Sequence, residues 1–292
     1  MISYALSTCA FGGVIDEITA NALRNGKFRK FELLFSTAVD GEVFSKFLQE
    51  ARKLVKEGVM SFPSAHMPFQ NGNNWDLSCT DEKVRRSIVA NHIELLYKNA
   101  DIIGRNITVH ASGEPELESH PVRMVQIHRT LEDLMPVAED LNLTFNIEYL
   151  PRTCLGNSVK EIQDIIADFS PERVGICMDV NHIMDRYREL PDIIDELADR
   201  INTFHISDYD GVDETHWIPG QGIYDWGEVL RAIRKIDHDV LLILETDMQL
   251  KRLSRKVDPF FALRQNERAC WFMENYDRLA SEASQFEIPG NI

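Results

Sequence analysis

ICMDVNH, residues 176–182, ends an apolar run on Asp179 and sets His182 three residues further on. A carboxylate at the end of a buried strand is costly to desolvate unless a cation or a set of donors faces it. Working outward from this stretch, short β-favouring runs alternate with amphipathic helical stretches along almost the whole chain. Strands are expected at 2–7 (ISYALS), 31–35 (FELLF), 59–66 (VMSFPSAH), 106–110 (NITVH), 143–149 (LTFNIEY), 173–178 (RVGICM), 201–206 (INTFHI) and 240–245 (VLLILE).

Helix starts fall between them. Ser158 with Glu161 makes a capping-box pattern ahead of Ile162, Ile165, Ile166 and Phe169, and Asp225 with Glu228 repeats it ahead of Val229, Leu230, Ile233 and Ile236. Pro121 suits the first turn of a helix whose apolar stripe is read as Val122, Val125, Leu131 and Leu134. The longest helical stretch, 81–103, carries Val84, Ile88, Leu95 and Leu96. Eight strands alternating with eight helices in 292 residues predict an α/β fold, a closed (β/α)8 TIM barrel forming a single domain over 1–292. A doubly wound open sheet is the alternative, but FGG at 11–13 is too short for the glycine-rich turn that fold places after its first strand. The segment 207–224 (SDYDGVDETHWIPGQGIY) is polar, holds three glycines and breaks the rhythm, as functional loops do.

Composition narrows the function classes. Acids outnumber bases 47 to 31, a net charge of −16, which disfavours nonspecific nucleic-acid binding. MISYALSTCAFGG (1–13) lacks the basic region and apolar length of a secretory signal, and no window reaches the roughly 18 apolar residues of a spanning helix. Five scattered cysteines (Cys9, Cys79, Cys154, Cys177, Cys270) contain no CxxC pair; reduced thiols in a cytoplasmic protein are expected.

Set side by side, six strand ends carry potential metal ligands: His66, His110, Glu148, Asp179, His205 and Glu245. Strand alternation puts Thr144, Asn146 and Glu148 on one face, Gly175 and Cys177 beneath Asp179, and Thr203 beneath His205. With the larger apolar set turned to the helices, these tips point into the barrel mouth, where such barrels do their chemistry. Any one strand-end acid or histidine is ordinarily a cap or a packed side chain. Three carboxylates crowded on one rim would repel each other, and a divalent cation relieves that repulsion. Glu148, Asp179, His205 and Glu245 offer three oxygens and one nitrogen, a set suited to one Mn²⁺, Mg²⁺, Co²⁺ or Zn²⁺ ion. His182 lies on the side of Asp179 if a helical turn begins there.

IEYLPR (147–152), CMDVNH (177–182), FHISDYD (204–210), HWIPGQGIYDW (216–226) and LILET (242–246) together resemble the xylose isomerase-like (β/α)8 superfamily of sugar epimerases, inosose dehydratase, hydroxypyruvate isomerase and, more distantly, endonuclease IV. The resemblance is densest over 143–246. It implies an enzyme on a small sugar-like substrate, with one divalent ion, commonly manganese, at Glu148, Asp179, His205 and Glu245, and with Glu148 and Glu245 as the acid–base pair. It further implies that His182 and Arg152 contact substrate or orient Glu148, and that His66 lines the pocket. Ketohexose epimerases carry an arginine at the position of Gly211. Here Asp213 and His216 are expected to take part of its role, and Trp217 to stack on a sugar face or pack within its loop.

Proton transfer through an enediolate would serve epimerisation, isomerisation or dehydration of an inosose-like substrate alike. An endonuclease IV-like zinc nuclease is a rival, since His66, His110, Glu148, Asp179, His182, His205, His216 and Glu245 cover many of its ligand positions; the net charge opposes it. A binding protein on a retained barrel is the third class. The basic run KRLSRK (251–256) reads as a solvated face or as a reach toward a substrate anion. The aromatic last helix (Phe260, Phe261, Trp271, Phe272) reads as packed on the barrel, with a homo-oligomer contact as the alternative.

Overall fold

The structure, a computed structural model, describes residues 1–12, 14–35, 41–69, 75–246 and 258–284. The basic run at 251–256 lies outside the described residues, as does Gly13. Eight parallel strands, β1 (Ile2–Ser7), β2 (Lys30–Leu34), β3 (Ser61–His66), β4 (Ile103–Val109), β5 (Thr144–Glu148), β6 (Val174–Asp179), β7 (Ile201–Ile206) and β8 (Val240–Leu244), pair in order, and β8 returns to β1 to close a barrel. The open-sheet alternative is excluded by that closure. Between and after the strands run α1 (Glu17–Asn25), α2 (Glu42–Lys56), α3 (Glu82–Asn99), α4 (His120–Asp140), α5 (Val159–Ile166), α6 (Leu190–Leu197), α7 (Trp226–Lys235), α8 (Pro259–Glu274) and α9 (Tyr276–Ser284).

Caps act where the sequence puts them. The Ser158 side chain accepts from the Glu161 N–H, and Asp225 accepts from the N–H groups of Gly227 and Glu228. The stripe read for α4 is corrected in part: Val122 and Val125 are 48% and 56% exposed, and the buried face runs through Ile127, Thr130, Leu131, Leu134, Val137 and Ala138. Val122 precedes Leu131 by nine residues, as Val125 precedes Leu134. At about 100° per residue that spacing is half a turn out of phase.

Register decides which side chains enter the barrel. Ala5 lies beside Ile243, Ile243 beside His205, and His205 beside Asp179; one layer down, Leu241, Thr203 and Cys177 are neighbours, with Glu148 beside Cys177. Laterally paired residues of parallel strands share a face. Ala5, Leu241 and Ile243 form a small apolar cluster of their own, apart from the large core that the strands and helices share. The face they mark is therefore the lumen, and the rest of it is polar: Glu32, Ser64, Thr108, Asn146, Thr203 and His205 are all buried. Asn146 accepts from Asn202 at 2.8 Å and donates to Asn106 at 3.2 Å across this interior. Gly175 is required between them, because a Cβ there would stand 2.0 Å from Asn202 Nδ2. The outward partners, among them Phe145, Ile147, Ile176 and Phe204, pack under the helices.

Among the described residues no helix is long and apolar enough to cross a membrane, and none of the five cysteines is in a disulfide.

His92 of α3 is buried against Trp75 and, among the described residues, bonds only its own helix, Nδ1 to the Ile88 carbonyl at 2.9 Å. Burial pushes its pKa down to about 4, from an ordinary value near 6.5. The unfolded chain therefore binds a proton that the folded chain refuses, and stability falls as pH drops from about 6.5 toward 4. Chemical denaturation should show this residue costing about 2 kcal/mol between pH 7.5 and pH 5, a loss absent from His92→Leu. An equal pH slope in that variant would refute the assignment.

Candidate metal centre

The carboxyl ends of six neighbouring strands deliver the cluster. His66, Glu148 and Asp179 are the last residues of β3, β5 and β6; His205 is one short of the end of β7, and His110 and Glu245 follow β4 and β8 directly. Strand geometry fixes each Cα, so the side chains meet without help from loops. Oxygens of Glu148, Asp179 and Glu245 and a nitrogen of His205 all lie within 4.8 Å of one another. His205 Nδ1 stands 3.0 Å from Glu245 Oε2, 3.2 Å from Glu148 Oε1 and 3.7 Å from Asp179 Oδ2.

One ring nitrogen carries one proton or one lone pair and cannot satisfy three carboxylates. Asp179 Oδ2 is buried and without a hydrogen-bond partner among the described residues, although Oδ1 accepts from the Asn181 N–H at 2.7 Å. The donor set therefore fits a divalent cation at the common focus of the four side chains. In the protein alone the balancing positive charge lies chiefly on His205. Burial opposes the charged form of His205, but the fields of Glu245, Glu32 and Glu148 overcome it and raise its pKa well above the usual value. Burial likewise opposes ionisation of Glu148; His110 and His205 reverse this and hold it well below the carboxylate range. Glu245 is lowered for the same reason, chiefly through His205.

Two further groupings share these residues. His66 Nε2 and His110 Nε2 each lie 3.0 Å from Glu148 Oε2, and His66, His110 and Glu148 converge as possible ligands; so do Asp179, His182 and His216. Burial lowers His66, but its bond to Glu148 prevails and raises it to about 8. Phe69, 40% exposed, stacks on the His110 ring at 4.3 Å and roofs this corner.

The remaining residues singled out in the sequence fall around the rim. His182 sits in a 3-10 turn (Asn181–Glu189) directly after β6, with Nδ1 3.0 Å from the Tyr149 carbonyl and 3.4 Å from Glu148 Oε1, and Nε2 3.5 Å from Asp179 Oδ2. His216 has φ of +47° and lies 3.2 Å from the Glu245 carbonyl and 3.3 Å from Ser207 Oγ. Arg152 is not paired with Glu148: its guanidinium binds Glu214 at 2.7 Å, Asp213 at 2.8 Å and Glu114 at 3.4 Å, which ties the loops after β4, β5 and β7 together. Trp217 is half-buried and pairs through its backbone with Asp208.

Two residues that the sequence reading passed over matter here. Glu32 of β2 is buried inside the barrel, its Oε2 3.1 Å from His205 Nε2. A lone acid between the apolar residues of FELLF was the available signal. Asp208 is buried after β7 and holds the long loop. Its carboxylate accepts from the N–H groups of Gly220 (2.7 Å), Tyr209 (3.0 Å) and Tyr224 (3.3 Å) and from Trp226 Nε1 (2.8 Å). Gly222 lets the chain pass, since a Cβ would meet Asp208 Oδ1 at 2.3 Å.

Residues 20–261 match the family described as the xylose isomerase-like TIM barrel. Among curated proteins, the D-psicose 3-epimerase of Enterocloster bolteae is 24% identical over 119 residues, covering 40% of this chain and 38% of that protein. A D-tagatose 3-epimerase-like protein of known structure superposes with a TM-score of 0.73 at 19% identity, covering 96% of this chain and 99% of that one. The IOLI protein with a bound zinc atom gives 0.71 at 13% identity, covering 94% and 98%. Likeness at these identities shows the shared fold.

Asp208→Ala should leave four donors unpaired beneath the 207–224 segment. Because bonds to a charged acceptor are worth about 1.5–3 kcal/mol each when broken, a loss of roughly 3 kcal/mol or more in denaturation is expected, with faster proteolysis inside that segment. Unchanged stability and cleavage would show that the loop is held elsewhere.

Proposed function

The chain belongs to the xylose isomerase-like TIM-barrel family, and from that premise we propose that it is a metal-dependent isomerase or epimerase of a sugar or sugar-derived hydroxy-carbonyl compound. The observation that supports this reading best is the convergence of three carboxylates on one imidazole nitrogen at the barrel mouth. Glu148, Asp179, His205 and Glu245 would hold one divalent ion; the oxygen-rich set suits Mn²⁺, Mg²⁺, Co²⁺ or Zn²⁺, and the family resemblance puts Mn²⁺ first among them. When bound, such an ion polarises a carbonyl and its neighbouring hydroxyl and stabilises the negative charge of an enediolate.

The protein's own part is proton transfer. Glu148 and Glu245 come from opposite flanks of His205, and their carboxylates are ionised, so either can receive the proton that leaves the carbon beside the carbonyl. Glu245 is 17% exposed at the mouth, whereas Glu148 is braced by His66 and His110 on its second oxygen. Return of a proton to the same carbon from the other side inverts it; delivery to the former carbonyl carbon isomerises the substrate; expulsion of a β-hydroxyl dehydrates it. His66, His182 and His216 would bind substrate hydroxyls, Trp217 would supply an apolar face, and Arg152 would meet substrate while keeping Glu214 over the site.

A second reading has a specific observation behind it. The groupings His66–His110–Glu148 and Asp179–His182–His216 flank the four-residue set and share ligands with it, as a polynuclear zinc hydrolase resembling endonuclease IV would require. The net charge of −16 weighs against a phosphate-rich substrate.

Two experiments separate the readings. Protein purified without chelator should carry close to one divalent ion per chain and lose it on Asp179→Ala, whereas about three zinc ions with nicking of abasic-site DNA would establish the hydrolase. In a screen of ketoses, inososes and hydroxy-keto acids in D₂O, Glu245→Gln should reduce ion-dependent deuterium wash-in by roughly 10²–10⁴-fold while leaving circular dichroism unchanged. Full exchange by that variant would remove Glu245 from the chemistry.

A further inference from the structure

Glu32 takes no part in the chemistry above, yet it is buried within the lumen of the barrel. It rises from β2, and its Oε1 accepts from Ser64 Oγ of β3 at 2.8 Å and from Thr108 Oγ1 of β4 at 3.3 Å. These two hydroxyls fix the carboxyl group so that Oε2 faces across the lumen to His205 of β7. Oε2 and His205 Nε2 are 3.1 Å apart as an ion-pair contact, off the line of a hydrogen bond, and neither forms a hydrogen bond with any group among the described residues. Two buried complementary atoms that close to each other, with nothing else to satisfy them, are a pair. The opposite nitrogen, Nδ1, is the one that faces Glu148, Asp179 and Glu245. Cys177 also lies against the ring, but burial raises its thiol to about 11 and it remains uncharged.

An imidazole that binds a cation through one nitrogen must keep its proton on the other. A carboxylate held against the far nitrogen selects that tautomer, orients the ring and strengthens it as a ligand. We infer that Glu32 is a positioning residue: by holding the proton on His205 Nε2 it leaves Nδ1 free as a ligand and sets the affinity of the whole cluster for its ion. The inference rests on the ion-dependent reading given above and assigns a role to a side chain outside the four ligands. It also accounts for an acid buried among strand residues that otherwise pack as core, with Ser64 and Thr108 retained beside it as hydroxyls.

Zinc alone is the probe, because it is diamagnetic and needs no substrate. Competition of the wild-type protein and Glu32→Gln against a chromophoric chelator should show zinc bound about 10–100-fold more weakly by the variant. Circular dichroism and the thermal midpoint of the ion-free proteins report whether the variant folds. The second measurement does not depend on the Glu32 variant. In ¹⁵N-histidine spectra, with the His205 signals identified by their loss in His205→Gln, the zinc-loaded protein should show the proton on Nε2 and none on Nδ1. Wild-type affinity in a folded Glu32→Gln, or a proton on Nδ1 in the zinc-loaded protein, would overturn the inference alone. A wild-type protein that binds no zinc, manganese or cobalt would overturn the ion-dependent reading and the inference with it.

Discussion

Crowding of like charge in a desolvated place governs this molecule. Glu148, Asp179 and Glu245 present oxygens within 4.8 Å of one another at the top of the lumen. At an effective dielectric constant near 20, each pair of full charges at about 4 Å costs on the order of 4 kcal/mol. Three such pairs together approach the whole net stability of an ordinary domain, roughly 5–15 kcal/mol. The arrangement survives because histidines are threaded among the acids: His205 touches all three, and His66, His110 and His182 flank Glu148. The barrel supports this by keeping its lumen polar and moving its apolar side chains outward under the helices.

The site follows from the fold with few intermediates. Parallel pairing places Asp179 beside His205 and Glu148 beside Cys177, one layer apart. A slip of one residue in any of these strands would turn its polar strand-end side chain into the helix layer. Tight packing such as that of Gly175 against Asn146 and Asn202 guards against such a slip. Chemistry and register are thus the same constraint.

Much of this was legible in the sequence because strands advertise themselves twice, by composition and by alternation. All eight strands lie where apolar runs put them, within about three residues, and LTFNIEY and ICMDVNH already carry Glu148 and Asp179 at their ends. Helix phase was less secure. In α4, Val122 and Val125 look like core by type, yet the packed stripe is set by Leu131, Leu134 and their neighbours half a turn away. Contacts between distant segments were not legible. Glu32 and His205 are separated by most of the chain, and only barrel closure makes them face each other. The partners of Arg152 were hidden for a different reason: an exposed arginine among many acids has no sequence mark of which ones it will meet.

That arginine has a consequence for the architecture. (β/α)8 barrels are often regarded as scaffolds whose rim segments vary one at a time. Here one guanidinium fastens three of those segments through Glu114, Asp213 and Glu214, from a backbone held at a φ of +51°. Exchanging the segment after β7 by itself would strand a cation at the rim and free its neighbours to move. The three rim segments are therefore mechanically coupled, and a change in one is expected to disturb the placement of the other two.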